Sequence, residues 1–251
     1  MSWYLPSAGR DPRAEFLAAH IPGAVFCDLD DISDRDTSLP HMLPSSSDFA
    51  LAMGRLGVKN SDYVVVYDGS GVNLSAPRLW WLLQVFGHES VAVLDGGMTR
   101  WRNEGRPTED GPVTPEPARF FPRFQPDMVR ELSSMKANVE HPREQVLDAR
   151  SPGRFQGTEP EPRPGLARGH IPGSRNLPFP RLVGPDGTLR DPAELRELFT
   201  QAGIDLTKPV VATCGSGVSA CALLLGLRVL GAEPVALYDG SWSEWGRQQD
   251  R

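Results

Sequence analysis

The motif His-Ile-Pro-Gly-Ala at residues 20–24 recurs as His-Ile-Pro-Gly-Ser at residues 170–174, an offset of 170 − 20 = 150. A second match sets Val-Val-Tyr-Asp-Gly-Ser-Gly-Val, which contains Asp68, against Val-Ala-Thr-Cys-Gly-Ser-Gly-Val, which contains Cys214, at an offset of 214 − 68 = 146. A third sets Leu-Asp-Gly-Gly against Tyr-Asp-Gly-Ser, at an offset of 239 − 95 = 144. Three collinear matches at the spacing of a whole domain predict two copies of one fold.

The boundary between the copies is indicated by composition. Residues 106–126 carry six prolines and several charges, which favours extended chain. We therefore predict a first domain at 1–110, a Pro-rich linker at 111–126 and a second domain at 127–251.

Each copy alternates short apolar runs with helical stretches. Residues 63–67 and 209–213 are apolar and β-branched, as expected for parallel strands that are buried on both faces. Helices are predicted at 76–86, 192–202 and 220–230, the second with Asp191 as its N-cap. The sequence thus predicts two α/β domains, each a mainly parallel sheet flanked by helices.

The first copy lacks a counterpart to one segment of the second. A helical stretch at 127–138 and a strand at 146–149 precede the second His-Ile-Pro-Gly, and subtracting 150 puts the partners of that strand at −4 to −1. We expect the first domain to lack its opening helix and strand, through either a misassigned start or a truncation.

Bulk properties exclude several functional classes. The 251 residues are 39% hydrophobic and 23% charged, and the net charge of −6 argues against a general electrostatic grip on nucleic acid or anionic membranes. The first residues lack the basic head and apolar run of a secretory signal, and no apolar run is long enough for a membrane span. Three cysteines without metal-ligand spacing predict no zinc site and no disulfide framework, so we expect a cytoplasmic protein that needs no cofactor.

The segment Thr-Cys-Gly-Ser-Gly-Val-Ser-Ala at 213–220 lies between a predicted strand and a predicted helix. Its glycines allow the backbone to curl, so that N–H groups and the helix N-terminus can surround an anion at Cys214. Such a loop favours a thiolate and would also stabilise a persulfide. The alternative is a buried cysteine in a glycine turn; a phosphatase would need arginine where Ala220 stands. Asp68 replaces the cysteine in the first copy, which predicts a catalytically silent domain.

Together, the Cys-Gly-Ser-Gly-Val-Ser loop, the doubled His-Ile-Pro-Gly and the silent first copy resemble the tandem-domain rhodanese superfamily, particularly its 3-mercaptopyruvate sulfurtransferases. The resemblance covers nearly the whole chain. It implies that Cys214 carries the sulfur and that the loop residues bind substrate: Gly215, Ser216, Gly217, Val218 and Ser219. The family's mercaptopyruvate enzymes have threonine where this chain has Ser219, which keeps the hydroxyl.

Residues outside the loop also match the family. Residues 153–163 resemble its substrate-binding loop, which implies that Arg154 and Arg163 hold the carboxylate and ketone of mercaptopyruvate. The resemblance further implies a proton relay of Asp30, His41 and Ser216, although His41 could equally be an interface residue. His20 and His170 occur in both copies and are assigned to the fold.

The reaction implied is a two-step transfer through a Cys214 persulfide, with release of pyruvate. A small thiol, a thioredoxin-like protein or cyanide would accept the sulfur. Two alternatives stay open from sequence: thiosulfate as the donor, and a sulfur-relay or binding module without turnover.

Overall fold

A computed structural model describes residues 1–5 and 8–247. These residues form two compact units. The first unit comprises Met1–Asp36, Leu43–Gln125 and Val183–Leu189, and the second comprises Thr37–Met42, Pro126–Leu182 and the described residues from Arg190 onward.

The second unit is built on a five-stranded parallel sheet, whose strands lie in the order β3 (Val129–Arg130), β7 (Val235–Tyr238), β6 (Val210–Thr213), β4 (Gln145–Asp148) and β5 (Arg175–Asn176). β6 lies at the centre, and it pairs with β4 from Gln145↔Val210 to Asp148↔Thr213. The elements of this unit are β3 (Val129–Arg130), α5 (Leu132–Glu140), β4 (Gln145–Asp148), α6 (Pro152–Gln156), β5 (Arg175–Asn176), α7 (Pro192–Gln201), β6 (Val210–Thr213), α8 (Ala220–Val229), β7 (Val235–Tyr238) and α9 (Ser241–Trp245).

Local sequence explains where the helices of this unit begin and end. The carboxylate of Asp191 accepts the N–H groups of Ala193 and Glu194 at 2.8 and 2.9 Å, and Pro192 occupies the first turn of α7. Gly203, in the left-handed conformation at φ 80°, follows its last turn. The predicted cap and stop of α7 are therefore confirmed. The stretch predicted as one helix from residue 127 is instead a short 3-10 helix (Pro126–Met128), the strand β3 and then α5. A two-residue strand leaves no period that sequence can reveal.

The core of the second unit lies between the sheet and the helices that cover it. One cluster combines α5, the centre of the sheet and the aromatic residues of α9, and consists of Met135, Val146, Ile171, Val211, Ala236, Tyr238, Trp242 and Trp245. This apolar packing holds β6 through Val211 and therefore fixes the position of the strand end that leads to Cys214.

The first unit has a smaller sheet of two parallel strands, β1 and β2, paired from Val64↔Val91 to Val66↔Val93. Its elements are α1 (Pro12–Ala18), α2 (Ser46–Arg55), β1 (Val64–Val66), α3 (Ala76–Val85), β2 (Val91–Val93) and α4 (Gly97–Asn103). By the repeat, β1 corresponds to β6 and β2 to β7.

The sheet of the first unit differs from that of the second at one edge. Among the described residues, no strand occupies the edge of β1 that would correspond to β4. The amino group of Met1 donates to the carbonyl of Tyr67 at 2.6 Å, as the N–H of Ala149 donates to Thr213 at 2.9 Å in the second unit. The corresponding side chains of β1 and β6 also differ in solvent exposure. Val65 of β1 is 50% exposed, whereas its counterpart Val211 of β6 is 0% exposed.

The Pro-rich stretch at 111–126 is extended, as its composition indicates, but it is not poorly packed. Its N–H groups at Ala118 and Arg123 donate to the carbonyls of Gly54 and Phe86 at 2.8 and 2.9 Å. Gly54 permits this approach, because a Cβ there would lie 2.7 Å from the Ala118 carbonyl oxygen. The stretch up to Gln125 therefore belongs to the first unit.

Within the described residues, none of the helices combines the length and apolar character needed to cross a bilayer. The same residues contain no group of histidine, cysteine and carboxylate side chains arranged to hold a metal ion.

Candidate active site

Cys214 stands at the carboxyl end of β6, the edge of a parallel sheet where ligand sites form. All four residues of β6 are buried, and Cys214 itself is 2% exposed. The loop from residue 214 to residue 219, hereafter the Cys214 loop, leads directly into α8 at Ala220. Gly217 adopts the left-handed conformation, at φ 73°, that turns the chain into this helix.

The Cys214 loop is braced from outside by the start of α9. The N–H of Trp242 donates to the Cys214 carbonyl at 3.0 Å, and the N–H of Ser243 donates to the Gly215 carbonyl at 2.9 Å. The Ser243 hydroxyl donates to the same Gly215 carbonyl at 2.6 Å. Sequence reasoning did not predict these contacts from the start of α9. The only signal for this segment was the repeated Asp-Gly motif that precedes it.

The first copy, which has Asp68 in place of the cysteine, shows how a loop of this kind holds a negative group. The Asp68 carboxylate accepts the N–H groups of Ser75 and Ala76 at 2.9 and 2.8 Å, at the start of α3, and the N–H of Ser70 at 2.8 Å. Asp68 is 1% exposed, so these amides replace its hydration. A negative group that follows the strand is therefore held by loop and helix N–H groups in this fold. Cys214 occupies the corresponding place in the second unit.

His41 and Ser216, two residues of the predicted relay, are brought together in the second unit. The Nδ1 atom of His41 lies 2.9 Å from Ser216 Oγ. His41 is 7% exposed and Ser216 is 4% exposed. An imidazole bonded to a loop hydroxyl two residues from Cys214 can move a proton to or from the loop.

The third residue of the predicted relay, Asp30, belongs to the first unit. It is exposed, and its N–H donates to the Asp28 carboxylate at 3.0 Å. Its part in the relay stays a prediction.

Arg154 lies on α6 with its guanidinium against the Cys214 loop. A Cβ placed on Gly215 would lie 2.8 Å from Arg154 Nη2, so the glycine after the cysteine makes room for this cation. On its other side, Nη2 donates to Glu161 Oε2 at 2.6 Å and Nε to the same oxygen at 3.2 Å. The Glu161 side chain is 3% exposed and that of Arg154 is 17% exposed. Glu161 therefore fixes the orientation of a guanidinium that lies beside the loop.

Sequence reasoning missed Arg150, which binds the same carboxylate as Arg154, that of Glu161. Its side chain is fully buried, and it donates to Asp148 Oδ2 and Glu161 Oε1, each at 2.7 Å. Burial alone would lower the pKa of Arg150, but the two carboxylates outweigh it and raise that pKa. The guanidinium also lies 4.4 Å from the ring centroid of Trp242. Arg150 thereby links β4, the stretch at residues 153–163 and α9.

The remaining predicted site residues lie in the same unit. Arg163 is partly buried in the loop after α6. Val218 is 2% exposed and contributes apolar packing at the base of the Cys214 loop, while Ser219 is partly exposed as the residue before α8. Their contacts with a substrate stay predictions.

Comparison with known families decides the family of the chain. The model of the rhodanese-like domain matches residues 10–104 and again residues 131–248. The chain belongs to the rhodanese family. Among its relatives, a human 3-mercaptopyruvate sulfurtransferase is 49% identical over 97% of this chain and 82% of the relative. An Arabidopsis thaliana relative, named thiosulfate/3-mercaptopyruvate sulfurtransferase 1, mitochondrial, is 48% identical over 99% of this chain and 71% of its own length.

A solved structure agrees with this rhodanese over both domains. SseA from Escherichia coli, described as a 3-mercaptopyruvate sulfotransferase with the rhodanese fold, superimposes with a TM-score of 0.88 at 40% identity. The match covers 97% of this chain and 91% of SseA. The predicted family and fold are therefore confirmed.

The two repeated histidines of this rhodanese share two contacts, although His20 is buried and His170 is exposed. Each stacks on a phenylalanine ring with centroids 4.0 Å apart, His20 on Phe16 and His170 on Phe155. In each copy, Nδ1 lies 2.8 Å from the carbonyl oxygen of that phenylalanine. An arrangement shared by the copy without the cysteine fits a role in the fold.

The other two cysteines of this rhodanese are buried. Cys221 lies inside α8, where its thiol donates to the Gly217 carbonyl at 3.3 Å. Burial raises the pKa of Cys27 to about 12. Cys27 is therefore a neutral thiol at physiological pH, as expected for a packing residue.

Proposed function

We propose that the protein is a sulfurtransferase that takes sulfur from 3-mercaptopyruvate, carries it as a persulfide on Cys214 and passes it to a thiophilic acceptor. The observation that carries this proposal is the guanidinium of Arg154 beside Gly215, in contact with the loop that holds Cys214. A planar cation at that place suits a donor whose transferable sulfur is close to a carboxylate.

In the first half-reaction, the Cys214 thiolate attacks the sulfur atom of mercaptopyruvate. A sulfur–sulfur bond forms, the carbon–sulfur bond breaks, and the electron pair of the broken bond goes to the enolate of pyruvate. The proton that was on the substrate thiol is taken up by the enolate carbon through the His41–Ser216 pair, whose Nδ1 and Oγ atoms are 2.9 Å apart. Pyruvate leaves, and the persulfide anion remains on the loop.

The N–H groups of the Cys214 loop and of the start of α8 stabilise the persulfide anion. Support for this step comes from Asp68, whose carboxylate is held by loop and helix N–H groups of the silent copy. In the second half-reaction, the acceptor attacks the outer sulfur and the Cys214 thiolate is regenerated. We propose a small thiol, a thioredoxin-like protein or cyanide as the acceptor.

A cytoplasmic location remains part of this proposal. It rests on the sequence expectation alone, and the Arabidopsis relative is named as mitochondrial.

The decisive experiment measures pyruvate release with 3-mercaptopyruvate as donor and dithiothreitol or cyanide as acceptor. We expect kcat/KM for mercaptopyruvate to exceed that for thiosulfate, and mass spectrometry without acceptor to find one added sulfur atom on Cys214. A preference for thiosulfate would move the donor assignment to that anion. Absence of both pyruvate and the sulfur adduct would favour a binding module.

The Arg163→Lys variant tests how the donor is held. Lysine keeps the positive charge but cannot bind a carboxylate through two parallel N–H bonds, so we expect KM for mercaptopyruvate to rise about tenfold, the equivalent of one charge-assisted hydrogen bond, with kcat little changed. Steady-state kinetics with mercaptopyruvate measures the two constants separately.

Arg168→Lys provides the matched control, since Arg168 is an exposed arginine five residues after Arg163. We expect it to keep the wild-type KM. An unchanged KM in Arg163→Lys as well would remove Arg163 from the substrate site.

A further inference from the structure

We infer that Ser241 is a positioning residue that holds the Cys214 loop in its reactive curl; the inference rests on the proposed role of Cys214. Ser241 is fully buried at the start of α9. Its hydroxyl donates to the Tyr238 carbonyl at 2.8 Å and accepts the N–H groups of Cys214 and Gly217 at 3.2 and 3.1 Å. A serine hydroxyl has one donor and two acceptor sites, and here all three are used on backbone groups.

The backbone of Ser241 is in an unfavourable conformation for a residue with a side chain. Its φ of 48° lies in the left-handed region, where glycine is the usual occupant. The first copy has that glycine, since 241 − 144 = 97 and Gly97 has a φ of 52°. In that copy a Cβ on Gly97 would lie 2.5 Å from the Asp68 carbonyl oxygen. A strained serine in the second copy therefore needs a compensating interaction, which its hydroxyl provides.

The two copies differ because their loops are held from different sides. In the silent copy the loop is held from within, by the Asp68 carboxylate and by the Ser70 hydroxyl, which accepts the N–H groups of Val72 and Leu74 at 3.2 and 3.1 Å. In the active copy the side chain that follows the strand is the reacting sulfur, so it cannot serve as a permanent cap. The N–H groups that Asp68 and Ser70 accept are the counterparts of other residues of the second copy, not of Cys214 and Gly217. The buried N–H groups of Cys214 and Gly217 have their acceptor on another element, the hydroxyl of Ser241.

This arrangement assigns the loop amides to two roles. The N–H groups of Cys214 and Gly217 are directed at Ser241 Oγ and fix the curvature of the loop. The N–H groups of Cys221 and Ala222 donate to the carbonyls of Val218 and Ser219 at 3.2 and 3.1 Å, so we assign the sulfur anion to the amides of the loop and of Ala220. Without the hydroxyl, two buried N–H groups lose their acceptor, and the loop must rearrange to satisfy them. The donor-binding arginines lie on another segment, so the chemical step should suffer more than donor binding.

The test compares Ser241→Ala, which removes the hydroxyl and keeps a Cβ, with Ser241→Gly, which removes the hydroxyl and relieves the backbone strain. We expect kcat for pyruvate release to fall about 10- to 100-fold in both variants, with KM for mercaptopyruvate within about threefold of wild type. The rate of Cys214 alkylation by iodoacetamide at pH 7 should fall in parallel. The glycine variant should melt at a higher temperature than the alanine variant without recovering activity.

Ser174→Ala is the matched control, because the Ser174 hydroxyl also donates to a backbone carbonyl, that of Ile171 at 2.6 Å, away from the Cys214 loop. It should keep wild-type kcat. Wild-type kcat and alkylation rate in Ser241→Gly would overturn the inference, as would losses that follow melting temperature across all three variants. If wild-type protein forms no sulfur adduct, the proposed function fails, while the alkylation rates still decide the role of Ser241.

Discussion

The Cys214→Ser variant is expected to lose sulfur transfer, with kcat reduced at least about 10³-fold, while its far-ultraviolet circular dichroism stays that of wild type. The reason is chemical, since a serine hydroxyl does not ionise at neutral pH and cannot carry a second sulfur atom as a persulfide. The fold should tolerate the change, because serine is smaller than cysteine and the loop offers N–H donors to its oxygen. Pyruvate release from mercaptopyruvate and the mass of the isolated protein measure both parts of the prediction.

Cys27→Ser is the matched control for that experiment. Cys27 is 4% exposed, and burial raises the pKa of its thiol to about 12, so it is neutral and shielded at the assay pH. We expect this variant to release pyruvate at the wild-type rate and to gain sulfur on Cys214. Retained turnover in Cys214→Ser, or loss of turnover in Cys27→Ser alone, would place the nucleophile elsewhere.

Sequence predicted the parts of this molecule that depend on short local patterns. The buried strand before Cys214, the glycines after it and the cap of α7 at Asp191 are each set by residues within a few positions of one another, so composition and spacing reveal them. The internal repeat extended this reach, because it showed which segment of the second domain has no counterpart in residues 1–110. Val65 is 50% exposed, whereas its counterpart Val211 is covered by residues of α5 and α9 and is 0% exposed.

Sequence did not predict the supports that reach the Cys214 loop from distant segments. Ser241 is 27 residues from Cys214, and its strained conformation is visible only in the backbone angles. Glu161 stands in the stretch that was predicted to bind substrate, but no pattern shows that its carboxylate is shared by Arg150 and Arg154. Such pairings are decided by tertiary packing, so a single sequence carries little trace of them.

The Pro-rich stretch at 111–126 is a second case in which sequence predicted local conformation but not tertiary packing. Its prolines correctly indicate extended chain, but whether extended chain packs depends on the surface beside it. The absence of a side chain at Gly54 allows close approach to the Ala118 carbonyl. Composition therefore predicted the conformation of this stretch and not its partner.

The Arg150→Met variant is expected to lower the free energy of unfolding by about 3–5 kcal/mol, because it leaves two carboxylates buried without their shared cation. Asp148 and Glu161 have side chains that are 1% and 3% exposed, so water cannot replace the guanidinium. Methionine keeps much of the side-chain volume and the contact with Trp242, which isolates the loss of charge. Urea denaturation followed by circular dichroism gives the free energy of unfolding.

Arg130→Met supplies the comparison, since Arg130 pairs with Glu144 at 2.7 Å in the same unit but with side chains 22% and 19% exposed. Partial hydration should hold its cost to about 1 kcal/mol. Equal losses of unfolding free energy in the two variants would mean that burial does not determine how much these ion pairs stabilise the protein. Arg150 could then not be the residue that keeps Glu161 in place for Arg154. If the difference is found, the variant should also raise KM for mercaptopyruvate, because Arg154 would have to neutralise Glu161 alone and would turn away from the Cys214 loop.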